Sequence, residues 1–190
     1  MPRILVFAGS TRRESYNKKL SKVAAQAVTK AGGEVTWIDL KDYEMPLYNG
    51  DLEEEQGIPA NARKLKELFK AHQGMLISCP EYNSSITPLL KNTIDWLSRK
   101  EKDEPSLAVF NGKVAGLVSA SPGALGGLRS LVTVRSLLGN IGVIVLPIQV
   151  AVGKADQAFN SDGALKDPSQ QASIDKVAHE IVKVSQKLSV

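Results

Sequence analysis

Short, almost wholly apolar runs recur along this chain with helix-length stretches between them, and that alternation constrains the fold more than anything else in the sequence. The first run, Arg3 to Ala8, reads Arg-Ile-Leu-Val-Phe-Ala. It has no polar alternation, as expected of a strand buried on both faces of a parallel sheet. Further strands are expected over Glu34 to Leu40, Gly74 to Cys79, Lys113 to Ala120 and Gly142 to Leu146, the last closed by Pro147. Between them, helical spacing predicts a long helix from about Ser15 to Ala31, stopped by Gly32-Gly33. Further helices are expected over Ala60 to Ala71, from Thr87-Pro88 onward, up to about Gly139, and from Gln170 to Leu188. Lys41 to Pro59 reads as a long polar connection, and Ala151 to Pro168 as irregular. Right-handed crossovers turn such an alternation into a parallel sheet with helices on both faces. Five strands favour the flavodoxin-like order 2-1-3-4-5 over a six-stranded dinucleotide fold, with the switch point between the first and third strands.

Composition narrows the setting. With 190 residues and a hydrophobic fraction of 43%, residues 1–190 are expected to form one α/β domain around one sheet. Lys and Arg number 24 against 20 Asp and Glu, a formal charge of +4. The basic residues are scattered without interleaved aromatics, so no nucleic-acid partner is expected, while the mild positive balance favours anionic cofactors. No run approaches the ~18 apolar residues of a membrane span, so no membrane partner is expected either. Cys79 is the single cysteine and no leader-like segment opens the chain. A cytoplasmic protein is therefore the expectation.

The chemistry is concentrated in loops that follow strands. In Gly9-Ser10-Thr11-Arg12-Arg13-Glu14-Ser15-Tyr16-Asn17, hydroxyls, a guanidinium and the free amides of a helix start supply donors for a dianionic phosphate monoester. The loop lacks both the Gly-x-Gly-x-x-Gly spacing of a pyrophosphate site and the Lys-Ser/Thr ending of a P-loop, so a terminal phosphate fits it better. The second loop, Cys79-Pro80-Glu81-Tyr82-Asn83-Ser84-Ser85-Ile86-Thr87-Pro88, offers backbone amides and the Tyr82 ring to a planar guest. The third, Ser121-Pro122-Gly123 with Gly126-Gly127, lets a ring or a ribityl chain approach the backbone, although such glycines also serve tight turns. Other chemistries lack their parts. His72 and His179 have no cysteine or carboxylate cluster around them, so no metal is expected. No Gly-x-Ser-x-Gly elbow occurs. Asp39 without a glycine fingerprint reads as a surface carboxylate, and Cys79 closing a buried strand reads as packing.

Pro-Glu-Tyr-Asn-x-Ser at Pro80 to Ser85, followed by Leu-Lys-Asn-x-Ile-Asp-Trp at Leu90 to Trp96, resembles the signature of the NAD(P)H-dependent FMN reductases, a flavodoxin-like group that includes quinone, chromate and azo-dye reductases. The first loop is similar to that family's Gly-Ser-x-Arg and Ser-x-Asn pattern, and the third to its Ser-x-Gly-x-x-Gly-Gly segment. The resemblance runs from about Gly9 to Arg129, and the chain after Pro147 adds nothing diagnostic. It implies non-covalent FMN and NADPH or NADH as co-substrate, with hydride passing to the flavin and then ping-pong reduction of a quinone, an azo compound, a metal oxyanion or free flavin. The implied phosphate contacts are Ser10, Arg12, Ser15 and Asn17, with Tyr16 in the same loop. Pro80, Glu81, Tyr82, Asn83 and Ser85 would border the isoalloxazine, with Ser121, Gly123 and Gly126 beside it. No side chain need act as acid or base, because the flavin carries the chemistry. The alternative is an electron carrier or a flavin-bound regulatory module with a protein partner, and the positive balance argues against a carrier. Two apolar stripes after Ser85, Ile86-Leu90-Ile94-Leu97 and Leu89 with Trp96, predict a homodimer or homotetramer through that helix, as the resemblance also suggests.

Overall fold

The computed structural model describes residues 1–188. Strands β1 (Arg3–Ala8), β2 (Glu34–Trp37), β3 (Gly74–Ser78), β4 (Val114–Ala120) and β5 (Ile144–Val152) form a parallel sheet in the order β2-β1-β3-β4-β5. The helices are α1 (Tyr16–Lys30), α2 (Gly50–Gln56), α3 (Ala60–Ala71), α4 (Pro88–Leu97), α5 (Leu128–Asn140) and α6 (Pro168–Lys187). Alternate side chains of a strand face opposite ways. Ile4, Val6 and Leu76 therefore pack with α1 and α6, through Leu20, Val28, Ile174 and Ile181. Leu5, Phe7, Met75 and Ile77 pack on the other face with α3, α4 and α5, through Leu65, Phe69, Leu90, Ile94 and Leu131.

The structure corrects three of the expected boundaries. β2 ends at Trp37, short of Leu40, because the Asp39 side chain accepts from the Lys41 amide and starts a 3₁₀ turn over Leu40–Asp42. The connection from 41 to 59 contains α2, which Asn49 caps while Asp51 and Glu53 sit favourably in its first turn. β5 does not stop at Pro147 but runs on to Val152. It is an edge strand, where a missing amide is tolerated, and its pairing with β4 shifts register between Ala115 and Leu117, on either side of the proline's position.

α4 presents only the Leu89 part of its second apolar stripe to solvent. Trp96 is fully buried, and its indole N–H donates to the Pro46 carbonyl at 2.8 Å. It packs with Ile58, Ala62, Tyr48 and Leu52 from the segment that crosses over it. The Trp96 part of the stripe read as an intersubunit face is thus covered by the chain's own α2–α3 region, while Leu89 stays partly exposed. Among the described residues no helix is long and apolar enough to cross a membrane.

Candidate functional site

The loops that leave β1, β3 and β4 meet at the carboxyl edge of the sheet, and side chains lock them together. The Thr87 hydroxyl accepts from the Leu90 amide as the cap of α4 and donates to the Gly9 carbonyl at 2.8 Å, tying the second loop to the first. Gly9 makes the crossing close: a Cβ there would stand 3.2 Å from Leu90 Cβ and 3.3 Å from Pro80 Cδ.

Asn17, expected at a phosphate, is the brace of this edge. Its side chain is buried; Nδ2 donates to the Ala120 carbonyl at 2.8 Å, while Oδ1 accepts from the Ala120 amide at 3.0 Å and from the Ser78 hydroxyl at 2.9 Å. It joins α1 to the ends of β3 and β4. Ser10, Thr11, Arg12 and Ser15 remain as the donors of the first loop. Ser10 Oγ accepts from the Arg12 amide at 3.3 Å, and Ser15 caps α1 by accepting from the Lys18 amide at 3.4 Å, so each hydroxyl proton is left to donate elsewhere. Arg12 is exposed and has no carboxylate partner among the described residues. Its guanidinium lies 5.9 Å from the centroid of the Tyr16 ring, which stacks on Phe159 at 6.5 Å and an interplanar angle of 5°. A residue from the segment without diagnostic sequence thereby supports the first loop. No acidic residue stands in the first turn of α1, so its dipole is not neutralised from within that turn, and apart from the Lys18 amide that Ser15 caps its first amides have no side-chain acceptor among the described residues. This donor set fits a phosphate monoester.

In the second loop Tyr82 and Ser85 exchange backbone hydrogen bonds, each 3.0 Å, around Asn83 and Ser84 at φ +49° and +66°. That is a tight two-residue hairpin in which both tip residues are left-handed, a geometry that favours glycine, yet Ser84 is serine. Strain of this kind gathers at ligand-contacting segments. Tyr82, at the hairpin base, is 54% exposed. Pro80 is buried.

Glu81, expected beside the ring, turns its side chain away. Its Oε2 accepts from the amides of Arg129 and Ser130 at 3.0 and 3.3 Å, and its Oε1 pairs with Arg129 Nε and Nη2 at 2.9 and 2.7 Å. It supplies the cap that α5 lacks from its own Gly127. Burial works to raise the Glu81 pKa, but the Arg129 side chain and the Ser130 and Arg129 amides outweigh it and hold the carboxyl below its ordinary range. Only the backbone of Glu81 is left to border a ligand.

The third loop divides likewise. Gly126, at φ +61°, is fixed by the protein: a Cβ there would lie 2.6 Å from the Val152 carbonyl carbon and 2.7 Å from the Gly153 nitrogen. Gly123 is exposed and open, with only Ser121 Oγ at 3.9 Å from such a Cβ, and Ser121 Oγ accepts from the Gly123 amide at 3.4 Å. Cys79 is wholly buried, and burial drives its thiol pKa far up, which leaves it unreactive. Sequence reasoning missed Thr87, Ser130 and Phe159 as organisers of the site. Thr87 carried a signal as a helix cap, whereas the other two act through contacts distant in sequence.

A parallel five-stranded sheet of this order, with a phosphate-type donor loop after β1 and an aromatic hairpin after β3, defines a flavodoxin-like mononucleotide-binding protein. The family model of NADPH-dependent FMN reductases matches residues 2–157. A quinone reductase of Pseudomonas putida is 32% identical over 179 residues, 92% of each chain. An NAD(P)H-dependent FMN reductase of Pseudomonas aeruginosa is 33% identical over 166 residues, 87% of this chain and 85% of its own. Among solved structures, the flavoenzyme NAD(P)H:(acceptor) oxidoreductase FerB of Paracoccus denitrificans superposes with a TM-score of 0.83 over 98% of both chains at 24% identity. An azoreductase of Bacillus anthracis superposes with a TM-score of 0.60 at 20% identity, covering 98% of this chain and 100% of its own. The chain belongs to the NADPH-dependent FMN reductase family and is an oxidoreductase.

Proposed function

We propose that this chain is one domain that binds FMN without covalent attachment, takes reducing equivalents from NADPH or NADH, and passes them to a quinone, an azo compound, a metal oxyanion or free flavin. Bound FMN would supply the hydride acceptor and donor. Ser10, Arg12, Ser15 and the first amides of α1 bind its phosphate, with Thr11 beside them, while Tyr16 holds Arg12 in place. Asn17 orients the loop rather than donating to the phosphate. Pro80, the Glu81 backbone, Tyr82, Asn83 and Ser85 border the ring on one side, and Ser121 and Gly123 on the other. The observation that carries this reading is the set of uncompensated donors after β1, at the same sheet edge as an exposed tyrosine on a strained hairpin.

Tyr82 and Asn83 offer one face, which nicotinamide and acceptor must use in turn. NAD(P)H oxidation with a quinone should then give parallel lines in double-reciprocal plots, with quinone competing against the nucleotide; intersecting lines contradict a shared face. The protein should purify yellow and release FMN on denaturation. Homodimer or homotetramer formation belongs to the same proposal. Since Trp96 is covered, its support is the family together with Leu47, 78% exposed in the segment that packs beside α4. A monomeric mass by light scattering at micromolar concentration contradicts it. The single, buried Cys79 is consistent with a reducing cytoplasm.

A further inference from the structure

A second positive feature lies at the same sheet edge and shares Arg13, Glu14 and Ser15 with the first loop. Between the first turns of α1 and the end of β2, a hollow of about 270 Å³ is bounded by Arg13, Lys22, Lys41 and Trp37, with Ser15 forming the wall it shares with the phosphate loop. Its size is near the ~300 Å³ lower end of small-ligand pockets, room for one nucleoside phosphate and not a whole dinucleotide. Lys41 joins Arg13 and Lys22 only in the fold, which gathers charge from two separate segments into one cluster.

The charges do not cancel. Lys18 pairs with Asp39 at 2.6 Å and Lys19 approaches Glu14 at 3.6 Å, which occupies both carboxylates of the hollow. Arg13 and Lys41 are exposed and have no acidic partner among the described residues, while Lys22 Nζ stands 5.3 Å from the Trp37 ring centroid. The Trp37 indole N–H donates to Ser21 Oγ at 2.9 Å, which fixes the ring as one wall. An aromatic wall under unneutralised cations suits an aromatic base that carries phosphate.

Asp39 discriminates further. An acid just past the second strand can accept the ribose 2′-hydroxyl of an unphosphorylated nucleotide. Here its Oδ2 is held by Lys18 and its Oδ1 accepts from the Lys41 amide at 3.0 Å, so the acid is neutralised and the hollow keeps a positive excess. That arrangement repels nothing dianionic and offers no free carboxylate to a diol.

We propose that this hollow binds the 2′-phosphoadenosine end of NADPH, with adenine against Trp37 and the 2′-phosphate among Arg13, Lys22 and Lys41, and that it makes the protein prefer NADPH to NADH. The inference rests on the proposed use of a nicotinamide co-substrate. Trp37 supplies a readout independent of turnover, because the other tryptophan, Trp96, is fully buried away from the hollow. Holoprotein is titrated with 2′,5′-ADP and with 5′-AMP while tryptophan fluorescence is followed, with Trp37→Phe to assign the signal. The expected result is saturable quenching by 2′,5′-ADP, with 5′-AMP ~10-fold weaker or worse. The Arg13→Ala/Lys41→Ala double variant should weaken 2′,5′-ADP by ~10-fold or more and raise the ratio of KM for NADPH to KM for NADH by a similar factor. Quenching that is absent, or equal for the two nucleotides, overturns the proposal even where NAD(P)H oxidation proceeds. Quenching that is lost in the double variant without a change in the KM ratio overturns it too, because the anion is then not the co-substrate. If neither nucleotide is oxidised, the reductase reading fails and this proposal fails with it, whatever 2′,5′-ADP does.

Discussion

The two ends of the sheet carry polar groups of similar kinds and use them in opposite ways. At the amino end they close on one another. Gln73 Oε1 accepts from the Arg3 amide at 2.8 Å, Lys113 Nζ donates to the His72 and Lys70 carbonyls at 2.6 and 3.1 Å, and His72 bridges the Leu68 carbonyl and the Thr36 hydroxyl at 2.6 and 2.7 Å. At the carboxyl end, Asn17, Thr87 and Glu81 close on the backbone, but Thr11, Arg12, Tyr82 and Asn83 are left facing outward. Empty volume does not tell the ends apart: a hollow of about 470 Å³ lies at the amino end, beside Arg3, Glu34 and Gln73. What marks the site is exposed donors gathered on adjoining strand-end loops and held by neighbours whose bonds are complete.

The sharpest way to break this comparison is to remove a holder. Asn17→Ala leaves the Ala120 amide and carbonyl and the Ser78 hydroxyl short of a partner inside the protein, and should cost about 3 kcal/mol in urea unfolding as well as FMN affinity. A loss confined to FMN affinity would return Asn17 to the phosphate. Removing a presented group should do the reverse. Arg12→Ala should weaken FMN binding by ~10- to 100-fold, the equivalent of ~1.5–3 kcal/mol, with the unfolding midpoint unchanged.

Acid should separate the two ends by a smaller, graded effect. Burial pushes the His72 pKa below its ordinary 6.5, outweighing the Leu68 carbonyl, and Arg3 and Lys113 add to the lowering. The unfolded chain therefore binds the proton first, and stability should fall as the pH drops below about 6.5 toward the folded value. Glu81 contributes fully above the ordinary glutamate value of 4.5 and loses its contribution only as the pH falls below that. In thermal melts against pH, His72→Gln should flatten the upper part of the curve and Glu81→Gln the lower. A single acid limb removed by either variant alone would contradict two independent ends. The smallest effect is a gain. Ser84→Gly relieves a left-handed serine and should stabilise by ~0.5–1 kcal/mol, while altering KM for the acceptor if the hairpin tip touches it.

How much of this could be read in the sequence follows from the range of the interactions. β1, α1, α3, β3, α4 and β4 lie within a residue or two of expectation, because apolar runs and local caps such as Ser15 and Thr87 set them. β5 was misjudged at Pro147 because only its edge position and shifted register make that proline tolerable. α2 was hidden because its acidic run reads equally as a solvated loop. At the site, residue type showed what a group can donate but not where the donation goes. Arg12 and Tyr82 remain presented. Asn17, Glu81 and Gly126 belong to the frame, since their partners Ala120, Arg129 and Val152 are distant in sequence. The basic residues read as scattered because Arg13, Lys22 and Lys41 come together only when β2 is laid beside α1.

The central claim is that the outward donors at the carboxyl edge hold a flavin that NAD(P)H can reduce directly. Anaerobic mixing of the FMN-loaded protein with NADPH, and separately with NADH, followed at the flavin absorption band, tests it most directly. Loss of the band at a rate able to sustain turnover, faster with NADPH, is the predicted result. A band that neither nucleotide bleaches without an added reductase would contradict it and identify an electron carrier or a flavin-bound regulatory module.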